Sequence, residues 1–160
     1  MVKKVSKSLQ QAIDALVIQD VYVKSCQAKC VEDFDPKSTE LEALLVQQMH
    51  VVLRSELIDI DGDGHLVRIY IRLGTRWVNP KGNSDPDIKA FVEADFIAEY
   101  QVAAELEQES IDEFALKNAS YHVWPYWREF LSTQCERLRL PRVVLPTVQF
   151  SKQSLKSDIK

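Results

Sequence analysis

Residues 88–102 alternate between apolar and polar side chains more regularly than any other part of the chain. Every even-numbered position in this stretch is apolar. The odd-numbered positions include the polar and charged residues Lys89, Glu93, Asp95, Glu99 and Gln101. Successive side chains of a β-strand point to opposite faces of a sheet, so the pattern predicts a strand with one buried face. Several even-numbered positions are alanine, and we expect a bulky helix to pack in the room that they leave.

Three further segments predict strands of the same sheet. Residues 16–31 are rich in β-branched side chains, which favour strands. Residues 45–57 and 67–77 alternate with a period of two and are separated by the turn sequence 59–64. We expect these two segments to form a long antiparallel hairpin. In the first of them, the apolar residues that share one parity and are expected to be buried are Leu45, Met49, Val51, Leu53 and Leu57.

A long helix is predicted after the strands. Ser110 and Glu113 have the spacing of a capping box, which starts a helix, and an apolar stripe continues to about residue 139. The sequence of strands followed by a helix predicts an α+β fold, namely a four-stranded antiparallel sheet with a long C-terminal helix packed on one face. We expect a single domain at 15–150, between a flexible N-terminal segment, 1–14, and a short polar tail, 151–160.

Charge and cysteine content narrow the classes of function. The formal net charge is −4, whereas nucleic-acid-binding proteins carry a basic footprint. No apolar run is long enough to insert into a membrane, and no secretory signal follows Met1. The three cysteines are odd in number and fit a reducing compartment better than a disulfide framework. These features predict a cytoplasmic protein that binds no nucleic acid directly.

One acidic motif raises the question of a metal. Asp59, Asp61, Asp63 and Gly64 match the start of an EF-hand calcium loop, but Tyr70 stands where the loop needs its bidentate glutamate. The flanking segments also predict strands instead of helices. We therefore interpret the motif as a hairpin turn and expect no metal, with calcium binding as the minor alternative.

Catalytic residues are not apparent in the sequence. His50, His65 and His122 are scattered, and no pair has the spacing of a zinc site. Cys135 falls on the apolar stripe of the helix, where a cysteine usually serves as a small core side chain. A triad that combines Cys135, His122 and an acid stays open, but the sequence favours a protein that is not an enzyme and needs no cofactor.

The aromatic content of the chain predicts contact with a partner. Trp77, Trp124, Tyr126 and Trp127 supply more large apolar surface than one sheet-and-helix layer buries. The surplus is expected to face another subunit or a ligand. The residues that we assign to an oligomer interface are Trp124, Trp127, Leu131 and Cys135.

Two motifs carry a resemblance to a known family. Trp124-Pro-Tyr-x-Arg-Glu129 lies in the predicted helix, and Leu140-Pro141 with Pro146-Thr-Val-Gln-Phe150 follows it. Together with Ile18-Gln-Asp-Val-Tyr-Val-Lys24, these elements resemble the SecB family of chaperones. The resemblance implies a homotetramer built as a dimer of dimers, with grooves that bind unfolded polypeptide without ATP. The positions that it implies for client binding are Val31, Phe34, Leu41, Leu44, Leu140, Val144 and Leu145.

The end of the chain distinguishes two branches of that family. Export SecB continues into a second helix and a tail that docks on the SecA motor, whereas 151–160 is short and polar. The chain is more similar to the SecB-like chaperones of toxin–antitoxin–chaperone systems. That likeness implies that the client is the C-terminal extension of an antitoxin. The alternatives are a general export chaperone that delivers preproteins to SecA, and an unrelated α+β domain that binds a small ligand.

Overall fold

The computed structural model describes residues 4–38, 41–62, 64–80 and 85–145. The elements follow in the order α1 (Lys7–Ala15), β1 (Leu16–Cys30), a 3-10 turn (Leu41–Ala43), β2 (Leu45–Ile60), β3 (Gly64–Asn79), β4 (Asp87–Val102), α2 (Gln108–Phe114), a π-helical turn (Ala115–Ala119) and α3 (Ser120–Leu138). The predicted motif Asp59–Gly64 forms the β2–β3 turn, in which Gly62 and Gly64 have positive φ angles. Asp63, the segment 146–150 and the predicted tail lie outside the described residues.

The four strands form one antiparallel sheet in the order β1-β4-β3-β2. Ile71 pairs with Phe96 and Leu73 with Ala94 at the centre, which places the alternating apolar positions of β3 and β4 on one face. The predicted hairpin is present as β2 and β3, with a bulge at Leu53. The predicted α+β fold, a four-stranded antiparallel sheet with a long C-terminal helix, is confirmed.

The helical layer covers the face of the sheet that carries the alanines of β4. Phe96 projects between those alanines, and its ring meets the rings of Trp127 and Phe130 edge-on, each at 6.4 Å between centroids. Ala94 and Ala98 are fully buried beside it. Small side chains on either side of Phe96 therefore leave a recess in β4 for the aromatic rings of α3, and the core forms where they pack together.

The start of the helical layer differs from the predicted capping box. The helix begins at Gln108, after Glu107, and Ser110 is already buried inside the first turn. Glu113 instead accepts hydrogen bonds from Ser6 and Ser8 and pairs with Lys117 at 2.7 Å. These contacts lower the pKa of Glu113 to about 2, the bond from Lys117 being the largest cause.

The N-terminal segment, predicted at 1–14, contains most of the helix α1. Ser6 caps α1 by accepting a hydrogen bond from the backbone of Leu9, the usual N-cap role of serine. Leu9, Ala12 and Ala15 then lie on one face and are buried. Three small or apolar side chains at helical spacing thus dock α1, with α2 as the opposing surface.

Candidate functional site

The chain reverses direction after α3. Arg139 adopts a left-handed conformation with φ of 58° and ends the helix. The backbone N–H of Leu140 then bonds to the carbonyl of Cys135 at 2.9 Å, and the backbone of Val143 donates a hydrogen bond to the Cys135 thiol. Residues 140–145 therefore run back along the outside of α3.

A cavity of about 300 Å³ lies between α3 and this returning segment. We call it the fold-back groove, and its lining residues are Pro125, Arg128, Glu129, Ser132, Arg142, Val143, Val144 and Leu145. Val144 projects from it with 85% of its surface exposed, whereas Leu145 is buried in its floor. The groove thus combines an apolar wall with two guanidinium groups.

The residues predicted to bind client fall into three environments. Phe34, Leu140 and Leu145 are buried and belong to the core. Val31, Leu41 and Leu44 are partly buried and pack against that core from the crossover between β1 and β2. Val144 alone among these predicted positions is largely exposed. Of these positions, Val144 and Leu145 line the fold-back groove.

The residues predicted for an oligomer interface lie largely in the core of the single chain. Trp127, Leu131 and Cys135 are 1–2% exposed and face the sheet. These three side chains therefore pack in the core of the single chain, and their assignment to an interface stays a prediction. Trp124 is partly exposed, and Tyr121 and Tyr126 on the outer side of α3 are exposed.

Strand β2 exposes more apolar surface than the sequence predicted. It is an edge strand, paired with β3 alone among the described strands. Its exposed large apolar residues are Leu45, Val46, Met49, Leu53 and Leu57. We call this row together with the unpaired backbone of β2 the β2 edge.

The predicted buried face of β2 was wrong. Leu45 and Met49 lie opposite Val78 and Gly74, on the face away from the helices, whereas Leu57, beyond the bulge at Leu53, has changed face. A signal was present in the sequence, because Val46, Val52 and Ile58 are apolar at the positions expected to be polar. When apolar residues occupy both odd and even positions, the two faces of the strand are alike. Periodicity alone then does not show whether both faces are buried or both are exposed.

The face of the sheet away from the helices is covered by ion pairs. Arg68 bonds to Glu99 at 2.8 Å, and Arg72 bonds to both oxygens of Asp95 at 2.7 and 2.9 Å. Both of these β3 arginines therefore pair with acidic residues of β4. Arg76 instead donates to the side-chain oxygen of Gln47. The Arg72 guanidinium lowers the pKa of Asp95 by hydrogen bonding.

The histidines serve as structural partners in the helical layer and in the β2–β3 turn. The imidazole of His50 bonds to the hydroxyl of Ser120 at 2.5 Å, and His122 bonds to Tyr100 at 2.7 Å. His65 pairs with Asp59, so the first carboxylate of the acidic motif is engaged within the hairpin. Burial raises the pKa of the Cys135 thiol to about 11, which disfavours the nucleophilic thiolate. No cluster of three or more His, Cys, Asp or Glu residues arranged for a metal occurs in the described part of the chain.

Comparison with known proteins adds information on the fold. No protein-family model matches the chain, and no curated protein matches it. A solved structure of a SecB-like chaperone of Mycobacterium tuberculosis, in complex with a ChAD peptide from the HigA1 antitoxin, is similar with a TM-score of 0.66 and 18% identity. The match covers 90% of this chain and 98% of that one. The chain therefore has the SecB-like fold, as its helix motif predicts.

A second solved structure is more distant. It is a protein of unknown function from Streptococcus agalactiae, with a TM-score of 0.36, 11% identity, and coverage of 82% of this chain and 97% of that one. Across the ranges that the structure describes, no helix is both long and apolar enough to span a membrane.

Proposed function

We propose that this protein is an ATP-independent holdase chaperone that binds extended, apolar polypeptide and performs no covalent chemistry. The observation that carries the proposal is the β2 edge, which combines an unpaired strand backbone with five exposed large apolar side chains. Soluble proteins usually protect such an edge with charge, proline or a covering element. An edge left apolar fits a protein whose partner is another extended chain.

The β2 edge offers both kinds of contact that an extended client needs. The outward-facing N–H and C=O groups of an edge strand accept an added strand through main-chain hydrogen bonds. Leu53 and Leu57 on one part of the edge, and Leu45 and Met49 on another, supply apolar surface on both sides of the added backbone. Burial of apolar area contributes roughly 25 cal/mol per Å² before ordering costs. Because apolar contact is not directional, selectivity among clients is expected to be modest.

The opposite edge of the sheet is better protected. Strand β1 has two bulges, at Gln19 and Lys24, whereas β2 has one, at Leu53, and bulges interrupt the pairing of an added strand. Its exposed large apolar residues are Val17, Ile18 and Val23, three against the five of β2, and the charged residue Asp20 lies between Ile18 and Val23. We therefore assign the client to β2 and not to β1.

We further propose that the physiological client is the C-terminal segment of an antitoxin. The structural neighbour was solved with a peptide from an antitoxin, which supports this client over a general set of exported proteins. Val144 and the partly buried Val31, Leu41 and Leu44 remain our candidates for side-chain contact with client. We propose a cytoplasmic homotetramer, a dimer of dimers, which predicts a molar mass near four times 18.4 kDa by light scattering.

The test is suppression of aggregation without ATP. The chaperone is titrated into a heat-denatured test protein, and light scattering follows aggregation. We expect suppression by the wild type and its loss in a Leu53→Ser/Leu57→Ser variant, because both side chains lie on the exposed β2 edge. Ile13→Ser, an exposed position on α1, is the matched control and should retain suppression.

The two outcomes that contradict the proposal are distinct. Absence of suppression by the wild type, together with no binding of apolar peptides, would reject the holdase function. Full suppression by the β2 variant, with an unchanged unfolding transition, would leave the function standing and reject the β2 edge as its site.

A further inference from the structure

The arginines of the chain fall into two groups. Arg54, Arg68, Arg72 and Arg76 lie on the sheet, and each bonds to a carboxylate or an amide oxygen. Arg128, Arg137, Arg139 and Arg142 lie on α3 or just after it, and none of their guanidinium groups makes a hydrogen bond or ion pair with the described residues. On a chain with net charge −4, carboxylates are abundant, so four guanidinium groups that pair with none of the described carboxylates call for an explanation.

Two of these arginines have an ordinary explanation. Arg137 and Arg139 lie at the C-terminal end of α3, where cationic side chains stabilise the helix through its macrodipole. Arg128 is in the middle of the helix, and Arg142 is in the returning segment. Both line the fold-back groove, and the helix dipole does not account for either.

Among the described residues, no polar side chain of the groove pairs with the guanidinium groups of Arg128 and Arg142, so both can bind a ligand. The remaining polar lining residues are Glu129 and Ser132. The Glu129 carboxylate accepts a hydrogen bond from the Thr133 hydroxyl at 2.9 Å and pairs with neither arginine. The groove therefore carries a net positive charge beside the apolar side chains of Pro125, Val144 and Leu145.

We propose that the fold-back groove binds the C-terminal carboxylate of an apolar client, with Arg128 and Arg142 as its ligands. A guanidinium group forms paired, charge-assisted hydrogen bonds with a carboxylate. The apolar wall takes the last side chains of the client. The cavity of about 300 Å³ is at the lower limit of ligand pockets, which suits a chain end better than a segment that passes through. This inference rests on the proposed function, since it identifies the part of the client that the groove recognises.

The test compares peptides that differ only at the C-terminus. A panel of short, N-terminally labelled peptides of leucine, valine, tryptophan and serine is prepared with a free C-terminal carboxylate and as the C-terminal amide. A third form is an amide that carries one internal glutamate. Binding to the full chain is followed by fluorescence anisotropy at low and high salt. We expect the free acids to bind about tenfold more tightly than either amide form, which is the size of one charge-assisted contact, and the difference to shrink at high salt.

Variants assign the effect to the two arginines. Arg128→Gln/Arg142→Gln should bind the free acid and the amide equally, at the affinity of the amide. Arg137→Gln is the matched control, because Arg137 is an unpaired, exposed arginine of the same helix that does not line the groove; it should retain the full difference. Both variants should keep the wild-type melting transition, since all three arginines are exposed.

Each failure has its own meaning. Equal binding of acid and amide to the wild type overturns the inference but leaves the holdase function standing. Equal binding of the free acid and the internal-glutamate amide overturns the assignment to a chain terminus. If the arginines contact a second copy of this chain instead, the double variant changes the molar mass in light scattering and the peptide forms do not differ. No binding of any peptide overturns the inference and the proposed function together.

Discussion

The hydroxyl of Tyr100 lies 2.7 Å from Nδ1 of His122, and this hydrogen bond joins the C-terminal part of β4 to the first turn of α3. Tyr100 is fully buried, and its ring meets Phe114 edge-on at 5.1 Å between centroids. His50 bonds to Ser120 from β2 in the same region. Two histidines therefore attach the segment just after the π-helical turn to two different strands.

These histidines give the fold a dependence on pH. Burial lowers the pKa of both His50 and His122, so in the unfolded chain, with a histidine pKa of about 6.5, they bind protons at a higher pH than in the folded chain. The free energy of unfolding is therefore expected to fall as the pH decreases from about 7.5 to about 5.5. Urea denaturation at a series of pH values measures it. The decrease should be smaller in His50→Gln/His122→Gln, and identical curves for this variant and the wild type would contradict the assignment.

Arg72 contacts two carboxylates that should differ in their effect on stability. Asp95 is mostly buried and receives two hydrogen bonds, whereas Glu93 is more exposed and lies 3.2 Å from the guanidinium. Asp95→Asn is expected to lower the free energy of unfolding by about 1 kcal/mol. The matched change Glu93→Gln should cost only a few tenths of that value, about 0.3 kcal/mol, as exposed ion pairs do.

Chemical denaturation of the two variants measures this difference. If the two variants lose the same free energy of unfolding, the second hydrogen bond of Asp95 and its lower exposure do not contribute to stability. Because the pKa of Asp95 is lowered in the folded chain, its contribution is present above the unfolded aspartate pKa of about 3.9 and disappears as the pH falls below it. The difference between the variants should therefore vanish in strong acid.

The stability lost on truncating Trp127 tests whether this side chain belongs to the core of the single chain or to an interface between copies. Its side chain is 1% exposed within the single chain and stacks with Phe130. Trp127→Ala is therefore expected to cost about 3–5 kcal/mol of unfolding free energy, independent of protein concentration. Trp124→Ala, at a partly exposed position of the same helix, is the matched comparison and should cost less. If Trp127→Ala instead regains the free energy of unfolding of the wild type at high protein concentration, the result would support a role for Trp127 in subunit contact.

The sequence predicted all four strands, but it predicted the buried face correctly for β4 and not for β2, for a physical reason. In β4 the alternation predicts a single buried face, because alanines lie on one face of the strand and charged residues, which form ion pairs, lie on the other. The exposure of β2 depends on its position at the edge of the sheet, which is a property of strand order and not of its own residues. The docking of α1 depends in the same way on a surface supplied by α2.

The fold-back groove was predictable only in part. The motif with Arg128 and the segment after the helix were recognised, but the direction of that segment depends on the left-handed conformation of Arg139. Glycine usually occupies such a position at the end of a helix, and arginine gives no such signal. Without the reversal, nothing in the sequence brings Arg142 to the same cavity as Arg128.

The reversed segment itself provides the last prediction, because buried and exposed apolar residues alternate along it. Leu140 is buried and Val144 is 85% exposed. Leu140→Ala is expected to cost about 2–4 kcal/mol of unfolding free energy, as core truncations do, whereas Val144→Ala should change it by less than about 0.5 kcal/mol. Thermal and urea unfolding measure the stabilities, and peptide anisotropy measures binding. Val144→Ala should weaken the binding of apolar peptides while the fold stays intact. A large loss of stability at Val144, or unchanged binding, would show that this side chain supports the chain's own core instead of a client.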